Sequence, residues 1–141
     1  KATPFIRYRT MDMAVKGPPR CPDCGRNFQI LSQINGRQQE VIVTATGRYI
    51  SMTAINMHDR IFDALRQFQF LQQEPGRVIF RYVAKHPPLS AAQETRIRSG
   101  LQVKLGEDVE LLLQSLSEIP LTSRGKLCFL EQRLPIRYGD R

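Results

Sequence analysis

The sequence predicts an α+β domain of the ferredoxin-like, split βαβ kind over residues 41–141, preceded by an irregular appendage. Apolar residues recur at spacings of three and four in two stretches, near 54–65 and 97–105. Short β-branched or aromatic runs lie between and around them. Glu74-Pro-Gly-Arg77 supplies a turn between two of those runs. The resulting order of strand, helix, strand, strand, helix, strand closes one sheet with both helices on one face. The other face is expected to stay free for a partner.

Each element follows in order. Residues 1–35 read as irregular, with Gly17-Pro-Pro-Arg20 leading into Cys21-Pro-Asp-Cys24 and an apolar stretch at 28–34. Val41-Ile-Val-Thr44 is strand-like, and Gly47 permits a turn into Tyr49 and Ile50. Ser51 and Thr53 are N-cap candidates for a helix reaching Leu65, with Ala54, Met57, Ile61 and Leu65 as its core stripe. Residues 68–73 and 78–83 form a hairpin about the Pro-Gly turn. Ser90 and Gln93 make a capping box for the second helix, Ile97, Leu101 and Leu105 give it a spacing-four apolar stripe, and Gly106 stops it. A strand at 109–113 follows, then a polar loop and a short strand at 127–130.

At 141 residues and 41% hydrophobic, the chain has material for one compact core. No apolar run is long enough for a membrane-spanning helix, and Lys1-Ala-Thr-Pro-Phe-Ile-Arg7 has the pattern of neither a secretory signal nor a transit peptide. A cytoplasmic protein is expected. The chain starts without methionine and enters at once on Phe5-Ile-Arg-Tyr-Arg-Thr10, so it reads as a fragment of a longer protein. The net charge of +8 favours anionic partners such as nucleotide phosphate, nucleic acid or an acidic carrier. The arginines are nevertheless spread from Arg7 to Arg141, as on an ordinary solvated surface. Three cysteines are too few for a disulfide framework, while Cys21 and Cys24 have the spacing of a zinc or redox pair.

Several residues are candidates for chemistry, and each has a plain structural reading beside the functional one. Thr122-Ser-Arg-Gly-Lys126 can hold an exposed ammonium on a tight loop, where it would neutralise charge on phosphate and carboxylate oxygens; it is equally an ordinary surface turn. Asp12 follows a strand-like run and can accept hydrogen bonds from two vicinal ribose hydroxyls, or simply end a strand. Gly36-Arg37-Gln-Gln39 joins the appendage to the regular domain, so Gly36 can swivel and Arg37 can reach a phosphate or ribose; an interdomain turn is the plain alternative. Cys21 and Cys24 supply half of a tetrahedral zinc site or a two-cysteine turn without metal.

These phrases, in this order, resemble the last three signature motifs of the adenylate-forming enzymes, the acyl-coenzyme A synthetase superfamily. Tyr8-Arg-Thr-Met-Asp12 is similar to that family's Tyr-Arg-Thr-Gly-Asp, Gly36-Arg37 with Gly47 to its hinge motif and following loop, and Pro120 to Lys126 to its terminal Pro-x-Thr-x-x-Gly-Lys. Cys21-x-x-Cys-Gly-Arg26 and Gln67-Phe-Gln69 are most similar to the phenylacetate-coenzyme A ligase branch, including its capsular polysaccharide biosynthesis relatives. Two positions depart from the pattern: Met11 stands where glycine is usual, and Gln39 where the hinge aspartate or lysine is expected.

The resemblance implies the tail of a large adenylation domain at 1–35, a hinge at 36–40 and a mobile lid domain at 41–141. It implies that Asp12 and Arg37 contact the nucleotide, that Gly36 and Gln39 belong to the hinge, that Lys126 serves acyl-adenylate formation, and that Gly47 lies on the face used for thioester formation. The partners implied are a missing N-terminal adenylation domain, a carboxylate substrate, ATP with Mg2+, and coenzyme A or another thiol acceptor. Zinc and a homodimer are left open. By itself the fragment is expected to be inactive, having no Gly-rich phosphate loop. The rival reading is an RNA-binding module of the same fold, with Phe80 and Tyr82 as stacking aromatics. A small-molecule-sensing domain is a further alternative.

Overall fold

A computed structural model describes residues 12–37, 40–55, 60–123 and 125–136. The chain divides into two compact units, Lys1–Gln39 and Glu40–Arg141. In the first, β1 (Asp12–Lys16) pairs antiparallel with β2 (Leu31–Arg37), with register shifts after Met13 and Val15. This corrects the expectation of an irregular appendage. The two strands are joined by a long connection rather than a short turn, so no local hairpin signal marks them. Gly17 N–H donates to the Ile30 carbonyl and Ile30 N–H to the Pro18 carbonyl, which closes the base of that connection.

The second unit begins with β3 (Val41–Val43) and β4 (Tyr49–Ser51), an antiparallel pair of its own that buries Ile42 and Ile50. Next come short 3-10 turns, Met52–Ile55 and Arg60–Phe62. The α-helix expected to reach Leu65 is therefore not formed in its described parts, and the cause is local. Ser51 and Thr53 bond each other through their hydroxyls at 2.8 Å, Ser51 Oγ accepts from Thr53 N–H, and such side-chain closure favours turns over helix. Ala54 is exposed, Ile61 is half-buried and Leu65 already pairs with Ala84 across a sheet; Met57 lies outside the described residues.

The main sheet has four strands in the order β7-β6-β5-β8. Its centre is the antiparallel hairpin of β5 (Leu65–Glu74) and β6 (Arg77–Ala84), turned at Gly76 with φ 74°. Helix α1 (Ala91–Leu105) then returns the chain so that β7 (Glu110–Ser115) runs parallel to β6. Strand β8 (Leu130–Gln132) lies parallel to β5 at the other edge. It starts later than the 127–130 expected, because the preceding residues are engaged as an anchor on β5. The class is thus α+β with a single described α-helix and mixed sheets, and the two-helix ferredoxin-like arrangement is not reproduced in detail.

The capping box forms as expected: Gln93 N–H donates to Ser90 Oγ, and Ser90 N–H donates to Gln93 Oε1 at 2.8 Å. Ile97, Leu101 and Leu105 face the sheet and join Phe70, Val78, Phe80, Tyr82 and Leu111 in the main core. Burying each such aliphatic side chain contributes about 1.5–3 kcal/mol before entropy is counted. The opposite sheet face is partly covered, with Ile79, Arg81 and Leu112 half-buried. Leu71 is 2% exposed, Val83 5% and Gln69 6%, on the alternate positions of β5 and β6. A buried glutamine holds the small sheet to the large one. Gln72 Oε1 accepts from Val43 N–H and Gln132 Nε2, and Gln72 Nε2 donates to the Val43 carbonyl at 2.7 Å and the Glu74 carbonyl at 3.2 Å.

Candidate functional site

Because β7 and β8 occupy opposite edges of the sheet, the chain between them must cross from one edge to the other, and Lys126 lies on this crossing. The strap is fastened along its length. Leu116 N–H donates to the Tyr82 carbonyl, Arg66 Nη2 to the Ser117 carbonyl, and Ile119 N–H to Gln67 Oε1. Ile119 itself is buried. At the far end Gln69 Nε2 donates to the Cys128 carbonyl at 3.0 Å, and Phe70 N–H to the Phe129 carbonyl at 2.8 Å. Gln69 is steadied in turn by Arg81, whose Nη1 donates to Gln69 Oε1 and to Glu131.

Between these fastenings the chain forms a closed polar turn. Thr122 N–H donates to the Lys126 carbonyl, Gly125 N–H to the Thr122 carbonyl, and Lys126 N–H to Thr122 Oγ1 at 3.1 Å. Gly125 has φ 70°, a conformation that disfavours other residues. The Lys126 side chain is exposed, and the earlier part of the strap, Glu118 to Leu121, lines an open groove with Arg66 and Gln67. A cation held on a short, internally bonded turn can be placed against an anionic group with little backbone reorganisation.

Gly47, the other candidate of this unit, occupies the turn from β3 to β4 with φ 79°. Thr44 N–H donates to the Arg48 carbonyl, Gly47 N–H to the Thr44 carbonyl and Arg48 N–H to Thr44 Oγ1. Asp108 stands beside this turn. Hydrogen bonds from Thr46, Thr44 and Arg48 hold its carboxyl down at about 2. Lys126 and Gly47 are not brought together: the strap is fastened at Gln67 to Phe70, near the start of β5, whereas the Gly47 turn rests against Gly76 at the end of the hairpin.

In the first unit Asp12 and Arg37 are direct neighbours across the β1–β2 ladder. Asp12 is exposed. Gly36 lies inside β2 opposite Met13, so the ladder holds it rather than a turn; Gln39 lies outside the described residues. Cys21 and Cys24 sit on a tight turn in which Gly25 N–H donates to the Cys21 carbonyl and Cys21 N–H to the Arg26 carbonyl. The backbone N–H groups of Cys24 and Asp23, and then the Cys24 thiol, push the Cys21 thiol below its ordinary range. Neither cysteine is joined in a disulfide. A closed zinc site needs four ligands. Among the described residues no third metal-binding side chain joins the pair, which by itself supplies two of those four ligands.

Residues 42–132 match the family model of the CapK C-terminal domain. The chain belongs to that family. This bears out the resemblance of the sequence to the C-terminal domain of an adenylate-forming enzyme of the capsular polysaccharide kind. Among solved structures, an open conformation of 2-hydroxyisobutyryl-CoA ligase in complex with 2-HIB-AMP and CoA is similar at 20% identity, with a TM-score of 0.44 over 86% of this chain and 28% of that one. The chain thus spans 28% of the length of that ligase. No curated protein matches it.

Within the CapK C-terminal domain, the matched span contains both the Lys126 and the Gly47 turns and leaves Asp12, Arg37 and the cysteine pair outside. The rival RNA platform fails on burial: Phe80 is 0% exposed and Tyr82 3%, both packed in the α1 core, so neither can stack on a base. No described helix is long and apolar enough to cross a membrane. Two sets of residues carry roles that were not legible beforehand. Gln67 and Gln69 stand out in the sequence only as part of a resemblance, yet they fasten the Lys126 strap. Asp108 carries no motif signal at all, since its partners lie some sixty residues away.

Proposed function

We propose that this CapK C-terminal domain is the mobile domain of an ATP-dependent, adenylate-forming enzyme, and that Lys126 is the residue it delivers for acyl-adenylate formation. The observation that carries this reading is the position of the Lys126 turn inside the family match, as an exposed cation on a strap fastened at both ends. The substrate would be a carboxylate activated by ATP, with coenzyme A or another thiol as the subsequent acceptor. Capsular or other polysaccharide biosynthesis is the setting the family name supports.

In this reading the ammonium of Lys126 sits against the reacting carboxylate and the α-phosphate region, and offsets charge as pyrophosphate leaves. It transfers no proton; its contribution is electrostatic and positional. Mg2+ would accompany ATP and screen phosphate charge, with its ligands in the adenylation domain. Asp12 and Arg37, neighbours across the β1–β2 ladder, would hold ribose and phosphate. A hinge in 36–40, at the boundary between the two units, would let the second unit turn and present Gly47 for thioester formation.

The test is Lys126→Ala in the full-length enzyme. With phenylacetate as the carboxylate probe, ATP–pyrophosphate exchange should fall about a hundredfold or more. Thioester formation from supplied phenylacetyl-adenylate and coenzyme A should change little. Equal loss of both half-reactions, or loss of neither, would sink the role given to Lys126.

A further inference from the structure

The β3–β4 turn should be a loose one. Five residues, Thr44 to Arg48, reverse the chain, Gly47 sits at positive φ, and a Cβ added there would meet nothing within 4 Å. A loop tip with an open outer side and a glycine ordinarily samples several conformations. This one is gripped from behind by a single residue on a distant element. Thr46 Oγ1 donates to Asp108 Oδ2 at 2.7 Å, and Arg48 Nη2 donates to Asp108 Oδ1 at 2.8 Å. The backbone carbonyl of Asp108 also accepts from Ala45 N–H at 3.1 Å. Both flanks of Gly47 and the residue before them are therefore tied to one position in the corner between α1 and β7.

The corner is itself held by hydrogen bonds and burial. Gln102 Nε2 donates to the Gly106 and Val109 carbonyls, and Val109 is 1% exposed. Arg48 Nη2 reaches the Leu105 carbonyl at the end of α1 as well. From the third side comes the β5–β6 turn: Gly76 N–H donates to the Val43 carbonyl, Glu110 N–H to the Gly76 carbonyl, and a Cβ added to Gly76 would lie 2.6 Å from Ala45 Cβ. Thr44, fully buried, shares a hydroxyl contact of 3.0 Å with Thr46 and so keeps the Thr46 hydroxyl aimed.

We infer that Asp108 is a positioning residue that holds the Gly47 turn in one conformation and thereby prepares it for thioester formation. The inference rests on the reading that Gly47 faces the active site in the second half-reaction. A half-exposed ion pair adds little to global stability. What Asp108 supplies is geometry: a carboxylate offers two acceptor oxygens in a fixed plane, and here each oxygen takes a donor from a different side of the glycine.

Two measurements test this. In the 141-residue chain, Asp108→Ala should speed amide hydrogen exchange at Gly47 and Arg48 about tenfold or more, with Asp108→Asn intermediate and the Phe70 and Phe80 amides unchanged. In the full-length enzyme, with phenylacetate and coenzyme A as probes, Asp108→Ala should slow thioester formation from phenylacetyl-adenylate about tenfold and leave ATP–pyrophosphate exchange within about twofold. Unmoved exchange at Gly47, loss of protection throughout the sheet in both variants, or an equal fall in both half-reactions would overturn the assignment. Gly47→Val separates the two layers. If it spares thioester formation, the face assigned to Gly47 is wrong; if it abolishes thioester formation while Asp108→Ala does not touch it, the brace alone is wrong.

Discussion

Asp108 shows how much one carboxylate can organise when its acceptors are fully used. Its folded value of about 2 lies below its ordinary 3.8, so its bonds stabilise the folded state above the ordinary value and are lost as pH falls through about 2. Thermal unfolding of the parent and of Asp108→Asn should therefore differ by a small amount at neutral pH, since the carboxylate is partly exposed, and converge toward about pH 2. A difference that stays constant with pH would mean that the carboxylate charge is irrelevant. Cys21 titrates in the same direction for another reason, the backbone N–H groups of Cys24 and Asp23 that point at its sulfur. Since the thiolate is the nucleophile, iodoacetamide near neutral pH should alkylate Cys21 ahead of the more exposed Cys24. Peptide mass spectrometry reads the order, and preferential modification of Cys24 would contradict it.

At the scale of elements, the joint between the small β3–β4 sheet and the main sheet depends on Gln72. Its amide makes four hydrogen bonds while the residue is 0% exposed, and two of them satisfy the N–H and carbonyl of Val43. Gln72→Leu keeps the bulk but leaves the Val43 N–H without its acceptor, while the Val43 carbonyl keeps the Gly76 N–H, and should cost about 1–3 kcal/mol. Urea unfolding measures this, and a change of only a few tenths would show that water replaces the lost partners. The elements differ in how plainly the sequence announces them. The β5–β6 hairpin and α1 are legible because their signals are local: a Pro-Gly turn, a capping box, apolar residues at spacing four. The stretch from Ser51 to Leu65 misleads because its spacing fits a helix, while two neighbouring hydroxyls favour a turn and the strand ladder claims Leu65. The β1–β2 pair is hidden by the length of its connection.

At the scale of the whole molecule, every described member of the main hydrophobic cluster falls between Ile42 and Leu130. A chain beginning at Glu40 should therefore keep one cooperative unfolding transition, with a melting temperature within a few degrees of the parent. Loss of near-ultraviolet circular dichroism in that chain would show that the core depends on residues 1–39. Family and candidate lysine were legible because the Pro120-to-Lys126 phrase and Gly36-Arg37 are short and contiguous. The fastening of Lys126 by Gln67 and Gln69, and of the Gly47 turn by Asp108, was not: those bonds join positions 52 to 62 residues apart, and only the folded sheet brings them together.

The strap that carries Lys126 and the turn that carries Gly47 are attached near opposite ends of one antiparallel hairpin. From Gln69 to Gly76 an extended strand covers roughly 20 Å. A packed sheet cannot fold up that distance, so the two tips behave like the ends of a short rod, and no single point in space can receive both at once. Any pocket that uses each of them must therefore take them by turns. On the proposed roles of Lys126 and Gly47, the length of β5 would keep the two steps apart, since one tip must withdraw before the other can enter.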